Sequence, residues 1–201
     1  MSIKYDNNSI LIIGNGESII NYEIGNQINK FKNIVRINNF KINGYEKFIG
    51  KKTTIWFNGA NQGLKKRSEF PDKIIVSIPS EILSKKENIS SVIYKRINNN
   101  KYSLISLEKI SSYEKEVGYS RLTTGMYSIL WAKDNFTNVY IHGFDFFMNS
   151  KGHYFDNKII SILKNKNILK KGSKHKLELE KQFCSELISK SKIYLLNKEI
   201  K

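Results

Sequence analysis

The chain is short of cysteine, of histidine and of acids. Its 201 residues include one cysteine, Cys184, so no intrachain disulfide can form and the chain suits a reducing compartment. Glu180-Lys181-Gln182-Phe183-Cys184 reads as helix, which makes the thiol a packed core group rather than a nucleophile. No apolar run approaches the ~20 residues needed to span a bilayer, and Met1-Ser2-Ile3-Lys4-Tyr5-Asp6 lacks a basic stretch followed by an apolar one. The expected location is the cytoplasm, with room for peripheral contact at the inner membrane. Acids number 18 against 34 lysines and arginines, a formal charge of +16. Such an excess attracts nucleic acid, a phosphorylated or carboxylated small molecule, or an anionic membrane surface. It also fits a Lys-, Asn- and Ile-rich composition in which many lysines are simply solvated. No known nucleic-acid motif is present and the lysines are spread along the chain, so a nucleic-acid-binding protein is the rival reading, not the expected one.

What is present suits a single α/β domain. Apolar residues make up 40% of the chain, enough for a core. Ser9-Ile10-Leu11-Ile12-Ile13 ends at Gly14 and reads as a buried strand, followed by a helix from about Glu17 to Ile28. Further strands are expected at Ile34–Ile37, Thr53–Phe57, Lys73–Ile78 (closed by Pro79), Val139–His142 and Lys192–Leu196. Helices are expected over 106–116, 122–134 and 174–189. The rhythm predicts a Rossmann-like, doubly wound, mostly parallel sheet spanning residues 1–201. The segment from about Asp145 to Lys174 carries Gly152 and the run Lys170-Lys171-Gly172-Ser173-Lys174, and is expected to be a mobile lid over the ligand.

Three clusters are suited to an anionic ligand. Gly14-Asn15-Gly16-Glu17-Ser18 follows the first strand, where glycines let a ligand approach the backbone. A dinucleotide fingerprint would need a third glycine at Ile19, so NAD is disfavoured; a plain structural turn fits as well as a phosphate site. Asn38, in Arg36-Ile37-Asn38-Asn39, falls at the carboxyl end of a strand, as a nucleotide contact or as half of a turn-forming Asn pair. Leu122-Thr123-Thr124-Gly125-Met126 supplies good N-cap types, either capping a helix alone or also presenting its N-terminus to an anion.

Taken in order, these segments resemble the sialylmotifs of the sialyltransferases of glycosyltransferase family 29. Ile12–Ser18, Arg36-Ile37-Asn38, Gly44–Lys47 and Ile49–Thr54 resemble the large motif. Thr123-Thr124-Gly125 with Val139-Tyr140-Ile141-His142-Gly143-Phe144 resembles the small one. His153-Tyr154-Phe155-Asp156 is similar to the third motif, and His175 followed by Glu180 to the very small motif. Several segments are also similar to the small bacterial sialyltransferases of family 42. The chain departs from the animal enzymes in having no partner for Cys184 and no N-terminal anchor, which point to a bacterial type, and in Thr123 where serine is usual, which keeps the hydroxyl.

The resemblance implies a GT-A-like sialyltransferase fold and inverting transfer of sialic acid from CMP-sialic acid to a glycan hydroxyl. The acceptor would be a terminal galactose on a glycolipid such as lipo-oligosaccharide, or on capsule. CMP-Kdo or another CMP-nonulosonate is the nearest alternative donor. The implied base is His175, with Glu180 in support. His153 and Tyr154, with the N–H groups at Thr123, Thr124 and Gly125, would receive the leaving phosphate. Gly14, Asn15, Gly16 and Asn38 would hold the nucleotide. Asp145 in Gly143-Phe144-Asp145-Phe146-Phe147 has no Asp-x-Asp partner, so no metal or other cofactor is expected, and Asp145 is either structural or close to the nucleotide.

Overall fold

The structure is a computed structural model that describes residues 3–85, 88–98, 100–145, 153–155, 176–190 and 192–200. Its frame is one sheet of seven strands in the order β5-β4-β3-β2-β1-β6-β7, with every pairing parallel. The strands are β1 (Ser9–Ile13), β2 (Asn33–Ile37), β3 (Ile55–Asn58), β4 (Lys73–Val76), β5 (Ser103–Leu104), β6 (Asn138–His142) and β7 (Tyr194–Leu195). The expected doubly wound α/β fold is therefore present, wholly rather than mostly parallel.

The central strands are apolar runs because both of their faces are covered. All five residues of β1 and all five of β6 are buried. Ile10, Ile12, Val35 and Phe57 face α5 (Leu107–Val117), α6 (Thr124–Asn135) and α7 (Leu177–Ser189), where Ile110, Met126, Leu130 and Cys184 close that layer. Leu11, Ile13 and Ile34 face the opposite way, onto Ile19, Ile28, Phe31 and Tyr154. Trp56, Ile74 and Val76 pack on Ile93 and Ile97, at the end of α4 (Ile89–Arg96). Cys184 is the core thiol expected, with burial and then the Glu180 charge pushing its pKa up to about 12.

Several boundaries differ from the sequence reading. The helix expected over 17–28 is a 3-10 turn at Glu17–Asn21 and a separate α1 at Gly25–Asn29. Ile19, Ile20 and Asn21 are weak helix formers. The break also lets Gly25 press on the next segment, where a Cβ would stand 2.0 Å from the Glu46 carbonyl oxygen. The last strand shrinks to Tyr194–Leu195 and turns directly into α8 (Leu196–Glu199). The short strand β5 and helix α4 fall in a stretch whose many polar residues obscure the helical spacing of Ile89, Ile93 and Ile97. The expected lid lies almost wholly outside the described residues. Among the described residues no helix is long and apolar enough to cross a membrane.

Candidate functional site

Chain order fixes where a ligand can enter. From β1 the chain runs to β2 on one side, and from β6 it runs to β7 on the other, so a crevice opens between the carboxyl ends of β1 and β6. The two loops there are joined: Gly14 N–H donates to the His142 carbonyl (2.8 Å) and Gly16 N–H to that of Gly143 (2.9 Å). A Cβ on Gly14 would lie 2.3 Å from the Gly143 oxygen, so the junction requires glycine.

The cavity at this point is lined by Gly14, Asn15, Gly16, Asn38, Thr123, Gly125, Asp145, His153 and Glu180, together with Ile37, Gly143, Phe144 and Leu177. Nine residues singled out from the sequence thus meet at one place, although the chain separates them by as much as 166 positions, from Gly14 to Glu180.

Three rims hold it. On the first, Asn15 reaches across the crevice and its Nδ2 donates to the carbonyls of Ile37 and Asn39, both at 3.0 Å. The two donors of that amide are therefore occupied by protein, and its oxygen is the group left for a ligand. Asn38 adopts a left-handed φ of 47°, which asparagine tolerates. Its Oδ1 accepts from Gly59 N–H (3.0 Å), and its carbonyl accepts from the Trp56 indole (2.8 Å). This fixes the Asn38 amide with its NH2 group as the remaining donor. Behind it Arg36, 1% exposed, donates to Thr53 Oγ1 (2.9 Å) and to the carbonyls of Ile49 (2.7 Å), Gly50 (3.1 Å) and Lys52 (3.2 Å).

The second rim is the start of α6. Thr123 is its N-cap and accepts from Met126 N–H at 3.1 Å. Glu180, 1% exposed, then holds Thr123 itself: Oε1 accepts Thr123 N–H (2.7 Å) and Oε2 accepts its hydroxyl (2.5 Å). Tyr119 also donates to Glu180, and burial followed by that bond pushes the phenol far up. A second buried carboxylate, Glu114, accepts from Ser80 N–H (3.1 Å), Arg121 N–H (3.2 Å) and the Tyr127 hydroxyl. The loop leading into Thr123 is thus pinned from two helices. The Thr124 and Gly125 N–H groups find no protein acceptor among the described residues, as expected of a helix start. Gly125 lines the cavity, whereas the Thr124 side chain lies against Gly59.

The third rim is Asp145 with residues 153–155. Asp145 accepts from Ser18 N–H (2.9 Å) and from its hydroxyl, and a Cβ on Gly16 would stand 2.4 Å from the carboxylate. It ties the β6 loop to the first turn while still lining the cavity. His153 pairs with Gly16 in an antiparallel bridge and stacks on Phe155, with ring centroids 5.3 Å apart. Tyr154 N–H donates to the Asn15 carbonyl (3.2 Å). Its hydroxyl donates to the Lys41 carbonyl (2.6 Å) and accepts from Lys41 N–H (3.1 Å), so the ring is anchored in the core and does not line the cavity. His175 lies outside the described residues. Leu177, two positions on, lines the cavity at the start of α7.

Sequence reasoning missed Phe144, Gly143 and Leu177 as lining groups, although Gly143 and Phe144 stood in the quoted small motif. It also missed Glu114, which nothing in a Lys- and Glu-rich helix distinguishes. His142 was quoted only as a strand end, yet it lies 4% exposed under the crevice. Burial pulls its pKa down to about 4, against an opposing pull from Asp145, so it is neutral at ordinary pH. Among the described residues no three His, Cys, Asp or Glu side chains gather where they might share a metal ion.

Comparisons with known proteins place the chain by family and by fold. The sequence model for glycosyltransferase family 29 (sialyltransferase) matches residues 7–192. A 45-residue stretch is 42% identical to the CMP-N-acetylneuraminate-beta-galactosamide-alpha-2,3-sialyltransferase 4 of Rattus norvegicus and 40% identical to that of Homo sapiens. The stretch covers 22% of this chain and 14% of each relative, so most of those longer proteins has no matched counterpart here. A mammalian sialyltransferase solved with Gal-beta-1-3GalNAc-ortho-nitrophenol superposes with a TM-score of 0.69 at 16% identity, over 94% of this chain and 68% of the other. The sialyltransferase CstII of Campylobacter jejuni, solved with CMP-3FNeuAc, gives 0.59 at 21% identity, over 93% and 81%. At these identities the superpositions establish the fold.

Proposed function

Because the chain belongs to glycosyltransferase family 29, the sialyltransferases, we propose that it moves sialic acid from CMP-sialic acid to a glycan hydroxyl, with inversion and without a metal. The observation that carries this is the convergence of Asn15, Asn38, Gly125 and His153 on one crevice. An α6 start with acceptor-free N–H groups faces a turn built from glycines, an arrangement suited to a nucleotide phosphate.

In this reading the CMP phosphate sits at the α6 N-terminus, where helix N–H groups and His153 receive the charge that grows as the glycosidic bond breaks. The Asn15 oxygen and the Asn38 NH2 hold the nucleotide's polar groups. Glu180 and Tyr154 act by positioning: one fixes the N-cap, the other fixes the strip that carries His153. His175 takes the proton from the acceptor hydroxyl, since an imidazole titrates near working pH and Leu177, two residues on, reaches the cavity. No metal is needed, because the developing charge is met by fixed N–H groups and Asp145 is engaged by Ser18. The donor and a galactose-type acceptor are supported by the names of the rat and human relatives. The basic surface suits a glycolipid or capsule acceptor at the cytoplasmic face of a bacterial membrane.

The test is CMP release from CMP-N-acetylneuraminic acid with lactose in EDTA, beside His175→Ala. Release that the variant loses supports the donor, the base and the absence of metal together. Saturable CMP binding without release redirects the reading to CMP-Kdo or another CMP-nonulosonate, resolved by a donor series. Neither binding nor release overturns it.

A further inference from the structure

Beyond Asn38 the structure holds a second cavity, of about 300 Å³, that the proposed reaction does not use. The pair Asn38-Asn39 forms the wall between the two, with Asn38 lining the first and Asn39 the second. Asn39 also builds the far side: its Nδ2 donates to the Gly63 carbonyl (2.7 Å) and its Oδ1 accepts from Lys65 N–H (2.8 Å). This sets Lys65, Lys66 and Arg67 along the cavity.

The charges here are unbalanced. The Arg67 guanidinium lies 3.8 Å from the Phe40 ring centroid and 5.8 Å from that of Trp56, and its Nε is buried without a hydrogen-bond partner. Arg36 approaches the same Phe40 ring at 5.6 Å, and its Nη1 is likewise buried and unpartnered. Glu69 lines the cavity too and its charge acts on Arg67, so three basic side chains face one acid there. Two guanidinium groups therefore approach one aromatic ring, and basic groups outnumber the acid around the cavity. Burial chiefly pulls Arg36 down to about 10; Tyr154 opposes that shift and the Arg67 charge adds to it. The close approach to Phe40 restricts the Arg67 guanidinium, a group suited to a two-oxygen partner.

We propose that this second cavity binds an oxyanion, a carboxylate or phosphate, carried by the acceptor glycan, with Arg67 as its main ligand and Lys65 and Lys66 as flanking charges. The assignment to the acceptor rests on the transferase reading; the oxyanion site does not. The Asn38-Asn39 wall places the two ligands side by side, so a charged acceptor would be held next to the donor.

The experiment begins with protein saturated with CMP, so that the first cavity is occupied, and titrates inorganic phosphate by calorimetry and by Trp56 fluorescence. Saturable binding is expected, weakened about tenfold or more in Arg67→Gln. The kinetic arm compares lactose with sialyl-lactose and with a lactose phosphate monoester. In Arg67→Gln the KM for a charged acceptor should rise about tenfold with kcat unchanged, while lactose is unaffected. A rise confined to the carboxylate or to the phosphate acceptor identifies which one the site takes. Should Arg67→Gln not fold, the exposed double variant Lys65→Gln/Lys66→Gln should weaken phosphate about threefold. Equal phosphate binding in parent and variant, or equal changes for neutral and charged acceptors, overturns the proposal. If no acceptor reacts but phosphate binding depends on Arg67, the oxyanion site stands and the transferase reading falls.

Discussion

The start of α6 and the end of β2 flank one cavity, and each is held by a buried charge that forms no ion pair among the described residues. At α6 the charge is negative: Glu180 accepts from the backbone and hydroxyl of Thr123 and from Tyr119. At β2 it is positive: Arg36 donates to three carbonyls and a hydroxyl. The difference follows from what each rim offers. A helix start presents N–H groups and needs an acceptor, whereas the chain around Ile49–Lys52 presents carbonyls and needs donors. A salt bridge between such groups would satisfy them with each other and leave the backbone orphaned.

The comparison breaks most severely at Arg36. Arg36→Met should cost about 3–5 kcal/mol in urea denaturation, because three carbonyls lose their donor inside the protein. Between the rims, His142 gives a pH signature. Its folded pKa of about 4 lies below the ordinary 6.5, so the unfolded chain takes the proton first. Stability should therefore climb by roughly 3 kcal/mol from about pH 4 to about pH 6.5 and flatten above. In His142→Asn that rise should largely vanish when unfolding midpoints are compared across the window. The α6 rim should be milder. Glu180→Gln keeps the shape but turns an NH2 group towards Thr123, costing about 2 kcal/mol in the same denaturation assay. CMP affinity should fall about tenfold in a titration if the cap positions the phosphate site. Ser18→Ala should cost least, about 1 kcal/mol, since Asp145 keeps the Ser18 N–H.

The same contrast explains what was legible in the sequence. β1, β2, β4 and β6 could be read because strands buried on both faces are mostly apolar, with only Arg36 interrupting β2, and because Gly14 closes β1 and Gly143 closes β6. Asn15, Asn38, Gly125, His153 and Glu180 were placed by motif order, and they meet. Arg36 stood in a quoted motif, but its partners are backbone carbonyls, which no side-chain pattern marks. The break after Asn21 was hidden for a similar reason. The carboxylate that holds Ser18 comes from residue 145, on a strand-end loop at the far side of the crevice. Tyr154 was assigned to the leaving phosphate by its motif; only the Lys41 backbone, 113 positions away, reveals that its hydroxyl is engaged in the core.

The place of β1 at the centre of the sheet also sets a timetable. One of its edges is covered by β2 soon after synthesis, but the other waits for β6, at Asn138–His142. At ribosomal speeds that interval is on the order of ten seconds. Throughout it Ser9–Ile13 exposes an apolar edge open to any other strand. The crevice is complete only when that edge closes, so a nascent chain halted before β6 would have the first turn and Asn38 but only one wall of the cavity.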